Sequence, residues 1–501
     1  MQIDVSGAWK SVRGGQTVLR DVTFTVAPGE LVAIVGSSGA GKSTLLDVLA
    51  GVREPDRGVV RHNGAAIERA QIGYVPQDDV VHRDLTVRAT LRYAARLRLP
   101  RGTTRAEMEL AVGDALHRLE LEHRADVRVG SLSGGQRKRA SIAAELLTRP
   151  RALFLDEPTS GLDPATAAAL MRTLRGLADH GTTVIFTTHN SDDLAVTDRI
   201  AFMAPGGCVA FVGTLDDALV RFGAHRNADI YDRLAADTCT PWRAEADDRL
   251  RPVAIAPSQR IGAVQEWAVL SRRNFDVLSR NPLTLAILVG SPALVIAMFV
   301  VLFKPNAFGV NLTATAYWMA FATFFFGLTF GLLQITTEMA IVRRERLVGM
   351  RVGPYLAAKV SVLAPILFGV IIAMLATLGA LDRLPNLGLD VYWRLTVSLL
   401  ALAIAALALG LLASAAVTDP TQATLALPML CFPAVLFAGA VLPIQDMAAA
   451  GRGISLFVPA RWGYEAVQHD LGIGGSGSLT ILAAFAVIFL AAAARVLTSK
   501  T

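Results

Sequence analysis

Two carboxylates, Asp156 and Glu157, directly follow the short apolar run Ala152-Leu-Phe-Leu155. Such a run reads as a buried strand, and an acid at its C-terminal end faces the crevice where α/β sheets hold ligands. Adjacent acids placed there divide two tasks. Asp156 reaches a divalent cation, directly or through water, and Glu157 takes a proton from an attacking water. Most Asp and Glu residues are simply exposed loop acids, but the apolar strand ahead of this pair argues against that reading. Far upstream, Gly36, Ser37, Ser38, Gly39, Ala40, Gly41, Lys42, Ser43 and Thr44 spell G-x-x-x-x-G-K-S and one residue more. Glycines at this spacing let backbone N–H groups curl around phosphates at the positive end of a helix. Lys42 then holds the β- and γ-phosphates and Ser43 ligates Mg²⁺.

The flanking sequence supplies the elements these residues need. Glu30-Leu-Val-Ala-Ile-Val-Gly36 is a strand pattern, and Ser43-Thr-Leu-Leu-Asp-Val-Leu-Ala50 has helical spacing. Strand, glycine loop and helix in that order are the context the phosphate motif requires. A third β-branched run, Thr182-Thr-Val-Ile-Phe-Thr-Thr188, ends at His189. From the end of a strand in the same sheet that imidazole can touch a γ-phosphate. Ser133, Gly134, Gly135 and Gln136 open a basic helix that continues Arg137-Lys-Arg139. Their N–H groups and hydroxyl offer another phosphate-binding helix start.

With these motifs in this order, residues 1 to about 225 resemble an ATP-binding-cassette nucleotide domain. The resemblance implies an α/β P-loop fold, with a RecA-like core and a helical subdomain. It makes Gly36–Thr44 the Walker A loop, Gln77 the Q-loop glutamine, Leu132–Gln136 the signature and Asp156 the end of Walker B. Glu157 becomes the catalytic base, Asp163 part of the D-loop and His189 the switch histidine. It also gives Gln77 a place beside Ser43 and Asp156 in the Mg²⁺ shell, and Trp9 a place stacked on adenine. In that family the signature binds ATP held by the opposite subunit. One chain with one copy of each motif therefore carries two half-sites and works as a dimer.

Beyond residue 258 the composition becomes apolar. Six stretches approach or exceed the roughly twenty residues needed to span a bilayer: 283–303, 313–336, 360–381, 395–417, 424–445 and 478–497. Six such stretches exclude a soluble cassette protein. Loops on the nucleotide-domain side carry Arg272, Arg273, Arg280, Arg343, Arg344, Arg346, Arg351, Lys359, Arg495 and Lys500. The other side carries Lys304, Arg383, Arg394, Arg452 and Arg461. This excess predicts a multi-pass protein of the cell membrane with a cytoplasmic nucleotide domain. The N-terminus has no signal-peptide pattern, so the first membrane helix is expected to do the targeting.

The expected organisation is a nucleotide-binding domain over 1–235, a linker over 236–258, an amphipathic connecting helix over 259–282 and an all-α six-helix membrane domain over 283–501. The connecting helix is expected to lay Trp267, Leu270 and Phe275 at the membrane interface. Residues 343–351 are expected to form a coupling helix, and 446–477 a partly re-entrant external loop. Domain order, Gln77-Asp-Asp79, Arg137-Lys-Arg139, Arg344-Glu-Arg346 with Tyr355 and Lys359, and Pro459-Ala-Arg-Trp-Gly-Tyr464 resemble the G, or white, subfamily of half-transporters. Two departures are Gln136, where that subfamily often has Glu, and an external loop without cysteine.

That resemblance implies ATP-driven export by a homodimer or a heterodimer with a second half-transporter. Spans two and five would line the path, so Phe321, Phe324, Phe325, Phe326 and Phe330, with Met429, Phe432 and Phe437, are candidates. An apolar path suits a lipid or amphipathic substrate. Import is less consistent with a chain that shows no substrate-capture domain. An ATP-gated regulator or mechanotransmitter that moves no substrate stays open as the alternative. The net charge of +6 comes from membrane-flanking arginines and gives no reason to expect nucleic acid. Of three cysteines, Cys208, Cys239 and Cys431, none falls in an expected external loop, so no disulfide framework is implied.

Overall fold

The computed structural model describes residues 1–12, 14–67, 71–226, 229–230, 233–234, 261–305, 308–385, 387–477 and 479–500. They form two compact units whose main bodies are Met1–Ile261 and Gly262–Arg346 with Met350–Thr501. The expected linker, 236–258, lies outside the described residues.

In the first unit, β1 (Ile3–Ser11), β2 (Thr17–Val26) and β4 (Arg57–His62) form an antiparallel sheet in the order β2-β1-β4. A second sheet contains β3 (Leu31–Gly36), β5 (Ile72–Val75), β6 (Ala152–Leu155), β7 (Thr183–Thr187), β8 (Arg199–Ala204) and β9 (Cys208–Gly213). Its order is β5-β6-β7-β3-β8-β9, parallel throughout except for β8–β9. Strands β3, β6 and β7 are buried at every residue, because parallel strands are covered on both faces and need apolar side chains on each. Alternation along β3 divides the core. Leu31, Ala33 and Val35 enter one apolar cluster, while Val32 and Ile34 enter another with the antiparallel sheet.

Helix α1 (Lys42–Leu49) follows β3 directly. A helical portion comprises α2 (Val87–Arg98), α3 (Arg105–Arg118) and α4 (Gly134–Leu146). Thr86 caps α2 and a Thr104–Glu107 capping box starts α3, satisfying N–H groups that have no partner within the helix. Arg98 on α2 and Glu145 on α4 form an ion pair at 2.8 Å with both side chains buried, which sets how the two helices meet. Helices α5 (Pro164–Asp179) and α6 (Leu215–Phe222) complete the regular structure needed here. Cys208 is buried at the start of β9, and Cys431 is a free thiol.

The second unit is helical. Its first helix, α7 (Ala263–Arg280), buries Glu266, Leu270, Arg273, Asn274 and Leu278 and exposes Phe275. The expected interfacial face is therefore only partly present: Leu270 is fully buried, and Trp267 donates its indole N–H to Ser361 at 2.9 Å. Two of the buried polar residues of α7 are paired with groups from the following segments. Arg273 forms a bidentate ion pair with Glu345, and Glu266 accepts the Arg351 amide at 2.7 Å. Lys359 and Tyr355 both donate to Glu338, at 2.7 and 3.3 Å. The charges counted as loop cations at 273, 344 and 359 are thus buried. Residues Met339–Leu347 form a helix, α10 here, that buries Arg344 and Glu345.

Among the described residues, five helices are long and apolar enough to cross a membrane: Thr284–Leu302, Leu312–Leu347, Val352–Ala380, Leu389–Ala416 and Leu479–Lys500. In element terms these fall in α8 (Pro282–Leu302), α9 (Phe308–Leu332) with α10, α11 (Val352–Ala380), α12 (Leu389–Ala416) and α16 (Leu479–Lys500). The fifth expected stretch, 424–445, has different bounds as a helix. Helix α13 runs only from Pro420 to Leu436 and contains Pro428 and Pro433. Its 17 residues rise about 25 Å at 1.5 Å per residue, the lower end of the lengths that cross a bilayer. The expected re-entrant loop holds two short helices, α14 (Ala449–Ser455) and α15 (Pro459–Asp470).

Helices α9 and α12 meet through small residues. A Cβ on Gly331 would lie 2.6 Å from the Leu407 carbonyl, and one on Gly410 would lie 2.5 Å from the Leu328 carbonyl. Close backbone approach of this kind is how helices associate without a hydrophobic drive. Packing also sorts the candidate phenyl rings. Phe324, Phe326 and Phe330 are buried within the unit, Phe321 and Phe325 are half-buried, and Met429 and Phe432 are exposed.

Candidate nucleotide site

The phosphate loop begins where β3 ends. Gly41 takes φ 97°, a left-handed conformation, and a Cβ there would meet the Val18 carbonyl at 2.7 Å, so only glycine fits. The loop closes by an Ala40 N–H to Ser37 O bond at 3.2 Å. Lys42 donates to the Gly36 and Ser37 carbonyls at 3.0 and 3.1 Å. Burial pushes its ammonium pKa down, opposed by the charges of Glu157 and Asp156. Thr44 follows in the first turn of α1.

Asp156 and Glu157 leave β6 as expected. Ser43 donates its hydroxyl to Asp156 at 3.0 Å. Thr187, the last residue of β7, donates to the same Asp156 oxygen at 2.5 Å and accepts the Glu157 amide at 2.8 Å. Glu157 has φ 43°, a left-handed conformation that side chains resist and that concentrates at functional sites. Its carboxylate accepts a hydrogen bond from Gln77 at 3.2 Å and lies 3.5 Å from His189 Nδ1. The structure therefore brings Lys42, Ser43, Gln77, Asp156, Glu157 and His189 into one connected group.

The Ser43 hydroxyl beside the Asp156 carboxylate is a hard oxygen pair suited to Mg²⁺, which takes few protein ligands and completes its shell with water and phosphate. The residues present fit that ion. Gln77 donates to Glu157, so its amide lies beside that carboxylate and its cation role rests on the resemblance.

The signature residues form a self-contained helix start. Ser133 accepts the Gln136 amide, and the Gln136 side chain accepts the Ser133 amide, both at 3.3 Å. This capping box leaves Gly134 and Gly135 to present their N–H groups at the N-terminus of α4. Asp163 caps α5 by accepting the Thr166 amide at 3.0 Å. Trp9 is half-buried on β1, cross-strand from Arg57.

Several residues around the site were not legible as functional. Asp193 is 3% exposed and accepts the hydroxyls of Thr159 and Thr188, at 2.6 and 2.7 Å. It thereby joins the segment after Glu157 to the residue before His189. Thr187 and Thr188 read in sequence as strand formers only. Tyr74 donates to Asp47 at 2.6 Å, tying β5 to α1, and burial pushes its phenol pKa up.

The first unit and its site define a P-loop nucleotide-binding protein, fused in one chain to a bundle of membrane-length helices. Comparison with known proteins agrees. The family described as ABC transporter matches residues 19–160, and that described as ABC-2 type transporter matches residues 265–471. The ABC transporter ATP-binding/permease protein Rv1747 of Mycobacterium tuberculosis is 34% identical over 93% of this chain and 57% of its own length. The broad substrate specificity ATP-binding cassette transporter ABCG2 of Bos taurus is 42% identical over 41% of this chain and 33% of its own. ABC transporter G family member 11 of Arabidopsis thaliana is 41% identical over 40% of this chain and 30% of its own. The chain belongs to the ATP-binding-cassette transporters, with the nucleotide domain ahead of an ABC-2 type membrane domain as in G-type half-transporters. It spans a little over half the length of the first relative and about a third of the other two.

Proposed function

We propose that this chain is one half of an ATP-driven exporter that works as a dimer, with itself or with a similar chain. The observation that carries the reading is Glu157, whose backbone Thr187 holds and whose carboxylate faces Gln77 and His189. In the reaction a water oxygen bonds to the γ-phosphorus as the bond to the ADP oxygen breaks, and Glu157 accepts the water's proton. Lys42 and the loop amides balance the β- and γ-phosphate charge, and His189 bonds the γ-phosphate. Ser43 and Asp156, with Gln77 as the resemblance implies, would hold Mg²⁺, which would supply positive charge to the phosphate oxygens. Trp9 stacks on adenine.

Dimerisation follows from the half-sites. Ser133, Gly134, Gly135 and Gln136 present a helix start to the ATP of the opposite subunit, and Asp163 lies at that interface. Export of a lipid-like or amphipathic substrate is supported by the apolar side chains that α13 leaves exposed, Leu425, Met429, Phe432 and Leu436. Relatives named for broad substrate specificity are in keeping with this.

The test is ATP hydrolysis by the purified full chain in lipid bilayers, with Glu157→Gln and Ser133→Arg alongside. Activity lost in both variants, with ATP still bound by Glu157→Gln, supports a competent homodimer. Normal turnover in Glu157→Gln would sink the assignment of the base. ATP-dependent substrate accumulation in inverted vesicles separates export from the alternative, a membrane regulator that moves no substrate.

A further inference from the structure

Two side chains just beyond the signature, Arg137 and Lys138, join its helix to the Q-loop. Lys138, two residues beyond Gln136 on α4, is 5% exposed. Its ammonium donates to the main-chain carbonyls of Pro76 and Gln77, at 3.0 and 2.8 Å. Its neighbour Arg137 donates through Nε to Asp79 at 2.9 Å. The two cations thus hold the Q-loop on either side of Asp78.

A buried ammonium is costly unless its hydrogen bonds are supplied. An apolar side chain would fill the same space without that cost, but it would leave two carbonyls at the end of β5 without these donors. One of those carbonyls belongs to Gln77, whose side chain is 3.2 Å from the catalytic carboxylate. The other end of the same short stretch of α4 is the capping box of Ser133 and Gln136. Lys138 therefore fixes the main chain of a residue serving this chain's own ATP against the helix start that serves the opposite subunit's ATP.

We propose that Lys138 is a positioning residue that makes the two ATP half-sites of one chain move as a unit. The proposal rests on the dimeric ATPase reading above. Lys138 acts through Gln77 and touches no phosphate itself.

The experiment uses the full chain in lipid bilayers, with Lys138→Met, Lys138→Arg, Gln77→Ala and the Gln77→Ala/Lys138→Met double variant. Lys138→Met is expected to lower kcat by about tenfold or more with the ATP dissociation constant within about twofold, and Lys138→Arg to recover most of it. The double variant is expected to be no slower than Gln77→Ala alone, because residues acting through one another are not additive. Amide hydrogen exchange over residues 74–80 is expected to rise about fivefold in Lys138→Met. Unchanged exchange, additive losses or kcat kept within about twofold would overturn the proposal. The two readings fail separately. A wild-type chain that does not hydrolyse ATP overturns the ATPase reading, whereas the exchange measurement decides the clamp without turnover.

Discussion

Thr187 gives its hydroxyl hydrogen to Asp156 at 2.5 Å and takes the Glu157 amide on the same oxygen at 2.8 Å. One side chain from β7 thereby orients both acids at the end of β6. Thr187→Val keeps the shape and the strand preference but removes both bonds. It is expected to lower kcat by about 10- to 100-fold and stability by about 1–3 kcal/mol, the cost of leaving buried polar groups unpaired. Steady-state hydrolysis with a denaturation curve checks this. Loss of stability without loss of kcat would show that the hydroxyl serves folding only.

Asp193 makes a second link, between Thr159 and Thr188. Asp193→Ala is expected to slow hydrolysis by about tenfold, and Thr159→Val with Thr188→Val to couple by about 0.5–3 kcal/mol in a double-mutant cycle. The readout is kcat for each single variant and the pair. Strict additivity would mean that the two hydroxyls do not share the carboxylate.

His62 lies in the first unit, buried, with Nε2 at 2.9 Å from the Leu49 carbonyl and its ring stacked on Phe154. Burial lowers its pKa below the ordinary 6.5; the Leu49 carbonyl and Asp4 oppose the shift, and the N-terminal amine adds to it. A lowered folded-state pKa means the unfolded chain binds the proton more readily. The stabilising contribution is therefore complete above about 6.5 and is lost as pH falls through the depressed folded value. His62→Gln keeps a donor for Leu49 without titrating. The drop in thermal midpoint from pH 7.5 to pH 5.5 is expected to be smaller in this variant by about 2–4 °C. An equal drop in both proteins would remove His62 from the acid sensitivity.

In the membrane unit the tight point is Gly331 against Leu407 and Leu411. Gly331→Leu adds a side chain where even a Cβ would clash with backbone, so separation of α9 from α12 is expected. The cost is about 1–3 kcal/mol or more from overpacking, read as loss of the monodisperse peak in detergent. Gly353→Ala is the control, since a Cβ there meets nothing within 4 Å.

The nucleotide motifs were legible in the sequence because phosphate chemistry restricts both residue type and spacing. A glycine loop must curl, a lysine must follow it, and two acids must end a buried strand. Gly36–Ser43, Asp156, Glu157 and the apolar strands that carry them could be assigned without coordinates. The membrane character was equally plain, since long apolar helices declare themselves by length. Tertiary structure decided everything that depends on a distant partner. Thr187 and Thr188 differ in sequence from ordinary strand threonines by nothing. Their roles arise because parallel pairing of β6 with β7 sets one beside Asp156 and the chain then carries the other to Asp193. Likewise α7 shows an amphipathic pattern whose buried side could not be read from periodicity. Glu345 and Glu338 supply buried charge partners, and with them Arg273 and Lys359 become interior residues instead of loop cations. The fifth apolar stretch forms a helix that ends at Leu436, a limit that apolar composition alone does not mark. Local pattern determines which residues can do chemistry; packing across the chain determines which of them meet.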